Sequence, residues 1–212
     1  VYDQLDMRYE AVLEFLKDSG FLQSDIDVVV SRGGMLPPVK SGAYVIDEKL
    51  VDTLRYHPAQ IHASNLGALI AFRIEKGCGC PAYIYDSVSV DELSDIARVS
   101  GIRGRERKSY THALNTRSVA MAYCGERGID YRDSTIIAAH LGGGISVNIQ
   151  RGGRIVDVCT AEEGPFSSER AGGLQVYTCA EIAEQEGPKA LRGYESGNGG
   201  LVSYFGTNDL RE

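Results

Sequence analysis

Three consecutive glycines, Gly142–Gly144, separate two β-prone segments of the sequence. Because glycine has no Cβ, backbone N–H groups in such a turn can approach an anion closely and form a nest for phosphate. A tight hairpin would use the same residues, and the run alone favours neither interpretation. No Lys-Ser or Lys-Thr pair follows, so the segment is not a Walker loop. His140, at the end of the preceding strand, could donate to a phosphate oxygen or serve as a hydrogen-bonded structural residue.

Two arginines lie beside glycine pairs, Arg32 in Ser-Arg-Gly-Gly and Arg170 in Glu-Arg-Ala-Gly-Gly. An arginine there suits bidentate binding of a carboxylate or phosphate, although an exposed loop arginine is an equally simple interpretation. Asp86 ends a buried β-prone segment, where its carboxylate could hold Mg²⁺ or serve a turn. His112 begins a predicted helix after the basic segment 103–108, for which a solvated face is the simple alternative.

Composition excludes several classes of partner. The 212 residues include 29 acidic and 22 basic side chains, giving a formal charge of -7, which disfavours general binding to nucleic acid. No apolar run approaches the roughly 20 residues that span a bilayer, and the N-terminus shows no secretory signal. We therefore expect neither a nucleic-acid nor a membrane partner.

The cysteines indicate a reducing compartment. Their number, five, is odd and their spacing irregular, which favours reduced thiols in the cytoplasm over a disulfide framework. Cys78-Gly-Cys80 has no nearby Cys or His pair to complete a zinc site, so we interpret it as a loop.

Hydrophobic periodicity and glycine turns predict an α/β protein. Three successive strands are expected between residues 135 and 158, joined by turns at Gly142–Gly144 and Gly152–Gly153. Helices precede this meander, which indicates two α/β lobes meeting near residue 130. The other predicted elements are helices at 5–17, 47–56, 64–76 and 111–127 and strands at 26–30 and 82–86.

Seven motifs occur in order along the chain: Ser31–Gly34, His62–Gly67, Ile84–Asp86, Arg107–Asn115, His140–Ser146, Glu163–Gly173 and Gly199–Asp209. This series closely resembles the butyrate kinases, in the acetate kinase group of the actin/sugar-kinase/Hsp70-like superfamily. The resemblance implies a two-lobed actin-like ATPase (ribonuclease H-like) fold. Residues 1–130 would form the carboxylate-side lobe and residues 131–212 the start of the nucleotide-binding lobe.

The resemblance also implies a reaction, which is reversible phosphorylation of butyrate or a branched-chain relative by ATP, giving an acyl phosphate. The implied cofactors are ATP/ADP and Mg²⁺, the implied partner is a short-chain carboxylate, and the implied assembly is a homo-oligomer, a dimer or higher. No covalent nucleophile is required, since the carboxylate can attack the γ-phosphate directly.

The site residues implied by the resemblance fall into two groups. The nucleotide-binding positions match His140, Gly142, Gly143 and Gly144 for the phosphates and Asp209, Leu210 and Arg211 for the adenosine. The reaction itself would use His112 to steady the phosphoryl group, Arg170 to bind carboxylate and phosphoryl oxygens, and Asp86 in the Mg²⁺ environment. Arg32 resembles the loop arginine of the butyrate kinases, in a register that differs from that of the acetate kinases.

The chain also departs from the family pattern. The family's first strand and glycine-rich loop do not precede Val1, and family members continue beyond Glu212, so we expect a piece from the middle of a longer enzyme. The alternative hypothesis is a non-catalytic nucleotide-binding or scaffold fragment. Thr111 occupies a position that is usually aromatic, which leaves the preferred acid chain length open.

Overall fold

In the computed structural model, which describes residues 1–209, the chain divides into two compact units. The first unit is Val1–Asp91 and the second begins at Glu92. Each unit contains one three-stranded sheet. None of the described helices is both long and apolar enough to cross a membrane.

The first unit places helices around a sheet in which β3 is central. Strand β3 pairs parallel with β1 and antiparallel with β2. The core is formed by apolar side chains of the sheet and helices, including the fully buried Leu54 and Ile84. The elements are α1 (Leu5–Asp18), β1 (Val29–Ser31), β2 (Ala43–Val45), α2 (Glu48–Tyr56), α3 (Asn65–Cys78) and β3 (Ala82–Tyr85), with 3-10 turns at Tyr2–Gln4 and Gln23–Asp25.

The second unit is built on the predicted antiparallel meander, which the structure confirms in the order β4-β5-β6. Its elements are α4 (Ala113–Arg127), β4 (Thr135–Leu141), β5 (Ile145–Arg151), β6 (Arg154–Cys159), α5 (Val176–Gln185), α6 (Pro188–Gly193) and α7 (Gly200–Phe205). Short 3-10 turns cover Ile96–Arg98 and Tyr131–Asp133, and a π-helical turn covers Tyr194–Asn198.

The division between the units falls at Asp91, whereas the sequence predicts a lobe boundary near residue 130. Residues after Asp91 belong with the meander because they bond to β6. The Glu92 carboxylate accepts from the Ile155 N–H at 3.1 Å, and the Ser94 N–H donates to the Val156 carbonyl at 2.9 Å. Helix α4 packs on β4 as well.

Two of the five cysteines form a disulfide, contrary to the prediction from the sequence. Cys78 and Cys80 are joined in a disulfide at the end of α3, where Gly79 turns the chain with a φ of 75°. The expectation of five reduced thiols is therefore wrong for this pair. The other three cysteines, Cys124, Cys159 and Cys179, are free thiols.

Candidate active site

The glycine loop Gly142–Gly144 connects β4 to β5 directly after the last pair of the ladder, Leu141 with Ile145. None of the three belongs to the positive-φ glycines found in residues 1–209, so backbone strain does not explain their identity. The close approach of neighbouring side chains to the loop explains the glycines instead. An added Cβ would lie 2.9 Å from His140 Nε2 at Gly142, 2.7 Å from Glu169 Oε2 at Gly143 and 2.8 Å from Arg170 Nη1 at Gly144.

Arg170 reaches this loop because Ser167 fixes its segment. The Ser167 hydroxyl donates to the Gly143 carbonyl at 2.6 Å and accepts from the Arg170 N–H at 3.1 Å. Ser167 is buried, so water does not compete for these bonds. The guanidinium of Arg170 therefore lies against Gly144. The glycine loop and the arginine, both predicted from the sequence, are thus neighbours in the structure.

Two predicted histidines stack beside the same loop. The rings of His112 and His140 have centroids 3.7 Å apart and are inclined by only 9°. His112 Nδ1 lies 2.8 Å from Ser146 Oγ, and His140 Nδ1 lies 2.9 Å from Asn115 Oδ1. Both partners are anchored on regular structure, β5 and α4, so each ring is held at its Nδ1.

Glu169 is a residue of this site that was not predicted from the sequence. Its carboxylate contacts the glycine loop, and its Oε1 accepts from Asn208 Nδ2 at 2.6 Å. It thereby connects the loop to the segment ending in Asp209, whose N–H donates to Thr207 Oγ1 at 3.1 Å. The only sequence signal was its place inside the Glu163–Gly173 motif. The predicted adenosine contacts Leu210 and Arg211 lie outside the described residues.

The segment before His112 is fixed by Arg107, which is not part of a solvated face. Arg107 Nε lies 3.1 Å from Glu163 Oε1, and its Nη1 lies 3.0 Å from Asp157 Oδ1. The hydrogen bond with Glu163 raises the pKa of Arg107 above its ordinary value. This ion-pair cluster ties residues 107–112 to the end of the meander.

Arg32 and Asp86 lie in the first unit. Arg32 is exposed on the loop after β1, and the Met35 N–H of that loop donates to the fully buried Asn65 Oδ1 at 2.8 Å. Asp86 is 2% exposed, has a φ of 41°, and accepts from the Gly42 N–H at 2.8 Å. The structure thus shows a turn role for Asp86.

The fit of Asp86 to Mg²⁺ depends on how many protein ligands the ion needs. Within residues 1–209 no group of three or more His, Cys, Asp or Glu side chains is arranged around a common point. Mg²⁺ in kinases is bound through one or two carboxylates, with phosphate oxygens and waters as the other ligands. A single carboxylate at this strand end fits that pattern, and its metal role stays a prediction.

Glu195 brings a second carboxylate near Arg170. Its Oε2 is buried and has no hydrogen-bond partner within the described chain. Burial first, and then the negative charge of Glu162, raises the pKa of Glu195 to about 6 from 4.5, while the Gly172 N–H and the Arg170 charge partly offset this rise. Ionising Glu195 therefore destabilises the folded state.

A Glu195→Gln substitution is expected to stabilise the protein at neutral pH. Because the folded pKa exceeds 4.5, the ionisation penalty is absent below that pH and fully present above about 6. Allowing for solvent screening of a partly exposed group, we expect a gain of about 1 kcal/mol at pH 7 that vanishes at pH 4. Urea unfolding at both pH values measures it, with the exposed Glu184→Gln as control. An equal effect at both pH values would contradict the assignment.

Two solved structures with the same fold are acetate kinases. An acetate kinase from Entamoeba histolytica matches 96% of this chain and 55% of its own with a TM-score of 0.73 at 21% identity. An acetate kinase from Porphyromonas gingivalis matches 97% and 56% with a TM-score of 0.71 at 21% identity. The predicted fold is confirmed as a part of the actin-like ATPase fold in the form found in acetate kinases.

Proteins with similar sequences indicate which kind of carboxylate kinase this chain resembles. The chain is 44% identical to butyrate kinase 2 of Clostridium acetobutylicum and 43% identical to a probable butyrate kinase of Thermotoga petrophila, over 99% of its length in each case. It spans 60% of the length of these relatives. No family model matches the chain. The chain is therefore homologous to butyrate kinases along nearly its whole length.

Proposed function

We propose that this chain is part of an ATP-dependent kinase that converts a short-chain fatty acid, butyrate or a branched-chain relative, reversibly to its acyl phosphate. One observation carries the proposal, which is that His140 and Arg170 flank the glycine loop Gly142–Gly144 while His112 stacks on His140. Phosphoryl transfer needs positioned positive charge and donors around a phosphate more than it needs covalent chemistry. This cluster has that composition.

In the proposed reaction these groups serve a direct phosphoryl transfer. A carboxylate oxygen of the acid attacks the γ-phosphorus, the new O–P bond forms as the bond to the bridging oxygen breaks, and that oxygen leaves with its electron pair on ADP. Arg170 pairs with the carboxylate and the equatorial phosphoryl oxygens, and His112 donates to the same oxygens. Backbone N–H groups of the glycine loop, with His140 beside them, bind the nucleotide phosphates.

Other elements of the proposal rest on the family match alone. Mg²⁺, when bound, neutralises phosphate charge, and Asp86 is the residue that would hold it. Asp209, Leu210 and Arg211 would lie along the adenosine, and Arg32 would serve the acid. We further propose a cytoplasmic homo-oligomer.

Trapping of the product tests the function. The natural-length protein is incubated with ATP, Mg²⁺ and hydroxylamine, and acetate, propionate, butyrate, isobutyrate and valerate are compared as substrates. We expect acyl hydroxamate with butyrate or isobutyrate at the highest rate. Failure with every acid would overturn the kinase assignment. Calorimetry with Mg²⁺–ADP then separates a non-catalytic nucleotide-binding module, which releases heat, from a scaffold, which does not.

A further inference from the structure

The inward face of β5 is polar throughout. Ser146, Asn148 and Gln150 alternate along the strand, and each is 1% exposed. Buried polar side chains are costly unless they are hydrogen-bonded, and a strand that packs inward ordinarily uses apolar residues at these positions. All three are hydrogen-bonded to other side chains.

The bonds of Asn148 have a fixed direction. Thr116 Oγ1 lies 3.1 Å from the His112 carbonyl and 3.3 Å from the Ala113 carbonyl, which can only accept, so Thr116 donates there. Thr116 Oγ1 must then accept from Asn148 Nδ2 at 2.9 Å. The amide nitrogen of Asn148 therefore faces α4, and its oxygen faces Gln150.

The bonds at the opposite end of the chain of bonds run in the same direction. Arg117 is a donor only, and its Nη1 lies 3.5 Å from Tyr131 Oη, which in turn donates to Gln150 Oε1 at 2.6 Å. Gln150 Nε2 then donates to Asn148 Oδ1 at 3.0 Å. Both ends orient the Asn148 amide alike.

From Asn148 the same direction continues to His112. Asn148 Nδ2 also donates to Thr111 Oγ1 at 3.2 Å, so the Thr111 hydroxyl donates onward to Ser146 Oγ at 3.1 Å. The His112 N–H approaches Ser146 Oγ too, at 3.5 Å. With the Thr111 hydroxyl donating to Ser146, His112 Nδ1, at 2.8 Å, is the partner within the described chain that accepts the Ser146 proton.

We propose that the polar face of β5, together with Thr111, is a hydrogen-bond relay that fixes His112 in the tautomer with its proton on Nε2, and that Ser146 is the positioning residue. The tautomer of a neutral histidine is set by the bond that its other ring nitrogen makes. With Nδ1 occupied as an acceptor, Nε2–H is the donor of the ring. The catalytic part of this inference rests on the proposed function, in which His112 donates to the phosphoryl group.

Nitrogen NMR of the histidine side chains tests the tautomer without any turnover. In the unaltered protein at a pH where the ring is neutral, His112 should show a protonated, pyrrole-type Nε2 and a pyridine-type Nδ1. Ser146→Ala should move the two resonances toward each other as both tautomers become populated. A proton on Nδ1 in the unaltered protein, or an unchanged pattern in Ser146→Ala, would overturn the relay.

A second pair of variants guards against misfolding at the buried serine. Thr111→Val keeps the volume and removes the relayed proton, whereas Thr111→Ser keeps the hydroxyl. We expect Thr111→Val to shift the resonances of His112 and Thr111→Ser to restore the original pattern. Equal spectra for the two variants would contradict the relay. Ser118→Ala, at an exposed position of α4, is the matched control and should change neither ring.

Kinetics tests the catalytic part. The loss of one positioning hydrogen bond is worth up to about tenfold in rate, so we expect Ser146→Ala to lower kcat by about that factor with little change in KM for ATP or acid. A shifted tautomer with unchanged kcat would overturn the catalytic role of the relay. A protein that makes no acyl phosphate fails the proposed function, and the NMR result still decides the tautomer.

Discussion

Replacing Arg170 with alanine is expected to lower acyl phosphate formation by about 10³-fold or more, because charge on the equatorial oxygens then loses its main positive partner. The guanidinium lies against Gly144 at the tip of the glycine loop, and the segment that carries it is held by Ser167. The backbone N–H and carbonyl of Arg170 make the bonds that hold this segment, so they remain in the variant. The hydroxamate assay measures the loss of rate.

Two further variants sharpen this test. Arg170→Lys keeps the charge without the two-pronged geometry, so we expect a rate between those of the alanine variant and the unaltered protein. Arg192→Ala removes an exposed arginine of α6 and should leave the rate unchanged. An unchanged urea midpoint for Arg170→Ala would show that the fold is intact. Turnover within about tenfold of the unaltered protein would remove Arg170 from the phosphoryl-transfer step.

The parts of the fold that were predicted correctly are governed by local pattern. Alternating apolar residues and two glycine turns predict the meander. Its strands lie at Thr135–Leu141, Ile145–Arg151 and Arg154–Cys159. Strand β2, only three residues long, was missed because it has too few residues to establish a period. The helices after residue 175 were missed because polar residues and glycines there obscure the apolar face.

The division into two units could not be predicted from local sequence patterns, because it depends on hydrogen bonds between residues that are far apart in the chain. No sequence feature near Glu92 indicates that its carboxylate accepts a hydrogen bond from the N–H of Ile155, 63 residues later. The predicted boundary near residue 130 followed a change in element type, from helices to strands. Packing of α4 on β4 crosses that change.

The sequence indicated the residues of the candidate site better than it indicated the residues that position them. Recognised motifs supplied His112, His140, the glycines and Arg170, whereas Glu169 was missed because a carboxylate beside a proposed phosphate site contradicts simple charge matching. The supporting role of Ser146 had a readable signal. Polar residues at every second position of a strand, at 146, 148 and 150, predict either a solvated face or a buried hydrogen-bond network. Only burial decides between them.

Gly33→Ala is expected to destabilise the first unit strongly. An added Cβ at Gly33 would lie 2.1 Å from the Ser64 carbonyl oxygen, far inside van der Waals contact. That oxygen is backbone at the start of α3 and already accepts from the Gly67 N–H at 3.2 Å, so it has little room to move. We expect the free energy of unfolding to fall by about 2–3 kcal/mol, the upper range for overpacking, which urea unfolding followed by circular dichroism measures.

Gly101→Ala is the matched control, because no atom lies within 4 Å of its added Cβ and its φ is ordinary. Its urea midpoint should stay within about 0.5 kcal/mol of the unaltered protein. Equal midpoints for the two variants would contradict the contact at Ser64. Since the loop that must yield carries Arg32, a displaced loop would also alter any role of this arginine toward the acid. A raised KM for butyrate at an unchanged KM for ATP would therefore accompany the loss of stability.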